Sequence, residues 1–210
     1  LYEVSTAEIL ARSCSMGATV ALGAVAMPQA LYNVSSWRLI DGGRLHGGQW
    51  WNRLRKLEGL PGLLRYWDMG NSLVATCDQM RRLTKTGLLP AKFYLHTNET
   101  EPSKAFKWSY IERFNPRPHL EPQLAEAYFI MWRLTRDGWY REAAWALAQT
   151  IEKHTKHEKG YFQAKDVDQI PTTLHLYQNA DFISGTLKYL YLTFSPEYHF
   201  SLDEWVFNAF

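Results

Sequence analysis

Few side chains in this sequence are spaced for chemistry. His154 and His157, read on one helix, put two imidazoles on a common face as a candidate metal pair. No Cys or carboxylate stands at matching spacing to complete such a site, which weighs against a metal there. Aromatic residues make up 15% of the chain and include nine Trp, material for a sugar-binding surface or for a core. Core filling is the commoner use of such rings. Asn33-Val34-Ser35 and Asn98-Glu99-Thr100 are glycosylation sequons, with Asn33 and Asn98 as acceptors, and they lean toward the secretory pathway. A Gly-rich phosphate loop, a Ser nucleophile elbow and a Cys-x-x-Cys pair are all missing.

These residues need a scaffold, and the composition allows one. At 210 residues the chain is long enough to bury a sizeable core, and its 46% hydrophobic and 21% charged content is that of a globular protein. A net charge of +2 gives no electrostatic reason to expect nucleic acid or an anionic membrane as partner. No uncharged apolar run reaches the roughly 20 residues that cross a bilayer. The chain starts at Leu1 and carries no signal peptide, which predicts either a segment removed from its front or a fragment.

The apolar periodicity is helical nearly throughout. Ser5-Thr6-Ala7-Glu8 has the form of a capping box and predicts a helix to about Met27, with Ile9, Leu10, Cys14, Gly17 and Ala21 on one face. Leu63, Tyr66, Trp67, Gly70, Leu73, Val74, Cys77 and Met80 predict a second helix from Leu63 to Leu83. Cys14 and Cys77 lie on the buried stripes of these two helices. They form either a bridge, worth up to about 4 kcal/mol for so long a loop, or two buried free thiols. Residues 28–60, with Pro28 and paired glycines, read as a long surface excursion, and 84–119 as a proline-rich connector. Helices are expected over Gln123–Thr135, Tyr140–His154 and Phe182–Phe194, with turns at Asp137-Gly138 and Glu158-Lys159-Gly160. No strand pattern competes over more than a few residues, so the fold class is all-α, built of helical hairpins.

Several segments, in order, resemble one family. Phe129–Asp137, followed by Tyr140-Arg141 and Trp145, is similar to a stretch ending in a Trp-Arg-Leu-Thr turn. Gly185-Thr186-Leu187-Lys188-Tyr189-Leu190-Tyr191-Leu192 is similar to Glu-Thr-Leu-Lys-Tyr-Leu-Tyr-Leu, and Asp203–Asn208 leads into a calcium-binding Thr position. Cys14–Ala18 with Leu22-Gly23-Ala24, and Thr76-Cys77 with Thr86-Gly87-Leu88 and Pro90, match the segments that carry two cysteines. The family is the class I α-1,2-mannosidases, glycoside hydrolase family 47. The resemblance implies a disulfide between Cys14 and Cys77. It also implies that residues 1–210, apart from the insertion at 28–60, form about the last three hairpins of an (α/α)7 toroid with the sugar site in its centre.

The resemblance also says where catalytic groups should sit, and there the chain departs from it. An inverting glycosidase needs an acid and a base carboxyl about 6.5–9.5 Å apart. The family's Arg-Pro-Glu-x-x-Glu becomes Glu121-Pro122-Gln123-Leu124-Ala125-Glu126, so its base falls on Gln123, an amide that takes no proton at neutral pH. Glu126 is retained, either for sugar hydroxyls or paired with an Arg. The family's His becomes Ala11, one Glu becomes Ala91, a second Glu becomes Gly185, an Arg becomes Glu121, and the calcium Thr becomes Ala209. The expectation is a module of the endoplasmic reticulum or Golgi lumen, anchored or not by an upstream segment, with impaired catalysis and no cofactor. Its partner would be a high-mannose glycan, a glycoprotein, or another chain that completes the toroid. The alternatives are an active calcium-dependent mannosidase and a fragment without function.

Overall fold

The structure, a computed structural model, describes residues 5–31, 61–97, 114–118, 120, 122–202 and 204–207. Asn33, Asn98, Glu121, Ala209 and most of the 28–60 excursion lie outside them.

The chain enters as a strand, β1 (Ser5–Leu10), and not as the helix its capping-box pattern predicts. β1 pairs antiparallel with β2 (Pro90–Thr97) in continuous register from Ser5 opposite Thr97 to Leu10 opposite Lys92. That ladder satisfies backbone groups along the whole segment, which outweighs the few donors a capping box would satisfy. Helix α1 therefore starts later, at Ser13, and runs through Pro28 to Leu31. Ile9 and Leu10 consequently leave its face, whereas Cys14, Gly17 and Ala21 stay buried on it.

The connector expected over 84–119 also holds strands. β3 (Phe114–Pro118) adds to β2, giving a three-stranded antiparallel sheet in the order β1-β2-β3. Its prolines suit that sheet: Pro90 is the first residue of β2, while Pro116 and Pro118 are on the edge strand, where a missing N–H costs no ladder bond.

Helix α2 (Pro61–Leu83) begins with the proline that favours a first helical turn. Val74, Cys77 and Met80 are buried on its predicted stripe, but Tyr66 is exposed. The crossing of α1 and α2 is built on two glycines. A Cβ on Gly17 would lie 2.8 Å from the Gly70 carbonyl oxygen, and one on Gly70 would lie 2.4 Å from that of Gly17. This approach brings Cys14 and Cys77 to a Cα separation of 6.0 Å, joined by a disulfide across 63 positions.

Helix α3 (Gln123–Thr135) spans the predicted range and supplies the centre of the core with Tyr128, Phe129, Met131 and Leu134. It ends on Arg136, whose left-handed φ of 62° turns the chain, and whose N–H bonds the Trp132 carbonyl. Asp137 then caps helix α4 (Gly138–Thr155) by accepting the Trp139 N–H at 2.9 Å. The turn expected at Glu158-Lys159-Gly160 joins a short hairpin of β4 (Lys156–His157) and β5 (Gly160–Tyr161). A second small pair, β6 (Gln163–Ala164) with β7 (Leu174–His175), follows. The last predicted helix is present over Phe182–Phe194, with a π-helical first part (Phe182–Leu187) that passes into helix α5 (Lys188–Phe194).

A buried charge cluster ties α2 to α3. Asp78 accepts from Arg81 Nη2 at 2.9 Å and from the Tyr128 hydroxyl on the same oxygen, while Arg82 Nε reaches its other oxygen. Burial pushes the Tyr128 phenol well up, so it remains a donor. Among the described residues, no helix is long and apolar enough to cross a membrane.

Candidate functional site

The predicted site residues that are described fall into two groups, both bordering one hydrophobic core. The first lies where β1 ends. The Ala11 N–H donates to the Ala91 carbonyl at 2.9 Å, and both methyls are buried. The resemblance expects a His and a Glu at these two positions, which here carry methyls.

The second group is at the start of α3. Pro122 precedes the helix, and its carbonyl accepts the Glu126 N–H at 2.8 Å. Gln123, half-buried, opens the helix, and Glu126 follows one turn later. The π-helical turn packs directly onto this start. A Cβ on Gly185 would meet Pro122 Cβ at 2.5 Å and Cγ at 2.7 Å, and Thr186 Oγ1 donates to the Leu120 carbonyl at 2.9 Å. Proline carbons cannot swing aside as a flexible side-chain end can, so any larger residue at 185 requires the backbone to move. Glycine closes this wall of the site.

Glu126 is the carboxylate of the second group. Its partner is not an arginine: the Tyr189 hydroxyl donates to its Oε1 at 3.0 Å. Burial raises its pKa, while the Tyr189 hydrogen bond and the charge of Lys188 pull the other way. Burial and Glu126 raise the Tyr189 phenol in turn, so it donates throughout the physiological range. Such an arrangement can hold a sugar hydroxyl or exchange a proton. Gln123 beside it can only hydrogen-bond.

No hydrogen bond between described residues joins the Ala11–Ala91 pair to the α3 start. The histidine pair does not form a site either. α4 ends at Thr155, so His154 is on the helix and His157 on β4, and they do not share a helix face. His154 Nδ1 contacts Thr172 Oγ1 at 3.0 Å, while His157 packs edge-on against Phe162. Among the described residues no cluster of His, Cys, Asp or Glu could hold a metal ion. Sequence reasoning missed the roles of Tyr189 and Pro122. Tyr189 lies within a quoted motif, but nothing in one sequence says that its hydroxyl crosses to a carboxylate 63 positions away.

Comparison with known proteins places this geometry. The sequence model of Glycosyl hydrolase family 47 matches residues 4–209. Mannosyl-oligosaccharide alpha-1,2-mannosidase IA of Spodoptera frugiperda is 37% identical over 146 residues, covering 69% of this chain and 21% of that enzyme. The corresponding IA enzyme of Drosophila melanogaster is 34% identical over the same shares. The chain thus spans about a fifth of the length of these relatives. Among solved structures, the alpha-1,2-mannosidase from Trichoderma reesei superposes with a TM-score of 0.65 at 17% identity, over 90% of this chain and 34% of that one. The predominantly helical architecture is therefore part of an (α/α)7 barrel, and the chain belongs to glycosyl hydrolase family 47.

Proposed function

We propose that this chain is a mannosidase-like module of the secretory pathway with impaired catalysis, whose remaining role is to bind high-mannose N-glycans or a protein partner. The packing of Gly185 on Pro122 carries the proposal. It leaves no room for the carboxylate that the resemblance puts at 185, and it stands beside an amide at the base position 123. Among the described residues of the α3 start, Glu126 is the carboxylate present, whereas inversion needs an acid and a base carboxyl in place. Losing a single general base typically costs about 10²–10⁴ in rate. Here two neighbouring polar positions, Ala11 and Ala91, are methyls as well. Calcium forms no part of the proposal, because Ala209 keeps a carbonyl but lacks the hydroxyl oxygen a hard cation would take.

Exposed apolar residues of α4, α5 and the carboxy-terminal segment, such as Trp145, Tyr191, Tyr198 and Val206, support a protein partner, including a chain that completes the ring. The test is incubation with a high-mannose glycan, with calcium or with a chelator, followed by mass spectrometry of the glycan and a binding isotherm. Intact glycan with saturable binding, or with capture of a ring-completing chain, is the expected outcome. Glycan shortened by mannose units in the calcium arm would refute it.

One observation favours a second reading, an active calcium-dependent 1,2-α-mannosidase. The Glu126 carboxyl has its pKa raised by burial, the direction a general acid requires. That reading needs a substitute for the base at 123. A fragment with no function of its own predicts non-cooperative unfolding of the isolated chain.

A further inference from the structure

A second concavity lies at the far end of α3 from Gln123, about 18 Å along the helix axis. It is open to solvent, has a volume of about 620 Å³ and is lined by Trp67, Asn71, Thr135, Arg136, Asp137 and Tyr140. The size falls within the range of small-molecule sites. Trp67 and Asn71 sit one turn apart on α2, Tyr140 comes from the first turn of α4, and the other three form the junction between α3 and α4.

Asn71 and Asp137 are each fixed by one bond that leaves a second polar atom of the side chain for a ligand. The Tyr140 hydroxyl donates to Asn71 Oδ1, which orients the carboxamide and leaves its N–H donors. Asp137 Oδ1 is taken by the Trp139 N–H at 2.9 Å, which leaves Oδ2 as acceptor. Thr135 Oγ1 donates to the Met131 carbonyl at 2.8 Å and accepts the Asp137 N–H at 3.0 Å, locking the turn. Arg136 stands in the left-handed region with φ of 62°. Burial and the neighbouring Arg133 push its pKa down to about 10, so it is still a cation at neutral pH.

The mixture of groups selects the ligand. The wall carries one charge of each sign, the Asp137 carboxylate and the Arg136 guanidinium, so a charged ligand meets one attractive and one repulsive group and gains little net. A hydroxyl both donates and accepts, and so answers the Asn71 donors and the Asp137 acceptor together. Trp67, partly buried against the core, adds apolar surface to the same wall. We infer that this cavity is a second saccharide-binding site, which takes a neutral pyranose between Trp67, Asn71 and Asp137. The inference does not rest on the reading of the α3 start.

The test titrates the chain with methyl α-mannopyranoside, methyl β-glucopyranoside and N-acetylglucosamine, and with benzoate and tetramethylammonium as charged probes. NMR of the asparagine side-chain amides follows binding. Asn71→Asp keeps an acceptor for Tyr140 but removes the N–H donors. Asp137→Ser keeps a capping hydroxyl but removes the second carboxylate oxygen. Because the two changes strain the fold differently, circular dichroism of each identifies one that is folded. At least one sugar is expected to bind at millimolar concentration and to weaken about fivefold to tenfold in the folded variants. The inference is overturned if no sugar binds, if a charged probe binds more tightly than every sugar, or if sugar binding is unchanged in both variants.

Discussion

The crossing of α1 and α2 and the start of α3 differ in how far they keep the residue types that the family resemblance calls for. At the crossing, Cys14, Gly17 and Cys77, which the family resemblance called for, are present, and the structure uses each of them together with Gly70 of the helical stripe. Gly17 and Gly70 admit backbone to backbone, and Cys14 is bonded to Cys77. At the α3 start and the neighbouring β1 end, the positions expected to carry polar chemistry hold Gln123, Gly185, Ala11 and Ala91 instead. The difference has a physical basis. A side chain in a packed crossing is constrained by volume, and a change there costs stability whatever the protein does. A polar cavity group contributes to turnover and often nothing to folding, so stability does not hold its identity in place.

The contrast can be broken by mutation, and the largest effect is expected at the crossing. Replacing both Cys14 and Cys77 with Ala should lower unfolding stability by about 4 kcal/mol, read as a shift of the urea midpoint. An unchanged midpoint would mean that the bridge carries no weight. Gly70→Ala comes next: its new methyl meets backbone that cannot yield cheaply, and a loss of about 1–3 kcal/mol is expected in the same assay. Gly185→Glu should cost a similar amount, since Pro122 occupies the space, and should yield no mannose release. A stable, active Gly185→Glu protein would show that the wall is not closed.

Smaller effects sharpen the comparison on the other side. Gln123→Glu, at a half-buried first helical position, should change stability by no more than about 0.5 kcal/mol, since a carboxylate suits a helix start. Glu126 gives a pH signature. Its folded pKa is raised, so the native state binds more protons than the unfolded chain, and stability falls as pH rises from the ordinary glutamate range through the folded pKa. Glu126→Gln should remove that slope from a series of urea midpoints against pH. A slope of the opposite sign in the unmutated protein would contradict the burial of this group.

Much of the fold was legible because helical stripes repeat over long spans. Gln123–Thr135 is where its periodicity puts it, and the small residues of α1 announced a close helix neighbour. The sheet was not legible. Ser5–Glu8 satisfies a local capping pattern, yet its partner, β2, lies more than eighty residues away, and local pattern cannot weigh a ladder that far off. The prolines of β3 read as breakers because a sequence does not say which strand is at an edge. At the site, the substitutions were visible in the residue types. The contact of Gly185 with Pro122 and the reach of Tyr189 to Glu126 were not, since both join separate elements. The cavity beside Trp67 left no trace in the sequence for the same reason: its walls come from α2, α4 and a turn.

The central claim is that packing survives in this chain while the hydrolytic groups do not. Mannose release from a Man-α-1,2-Man disaccharide, followed with calcium present for both the natural chain and Gln123→Glu, tests it most directly. The account predicts no release above the uncatalysed background from either protein, because restoring one carboxylate leaves positions 11, 91 and 185 empty of polar groups. Turnover by the natural chain at an ordinary enzymatic rate, about 1 s⁻¹ or faster, would contradict it.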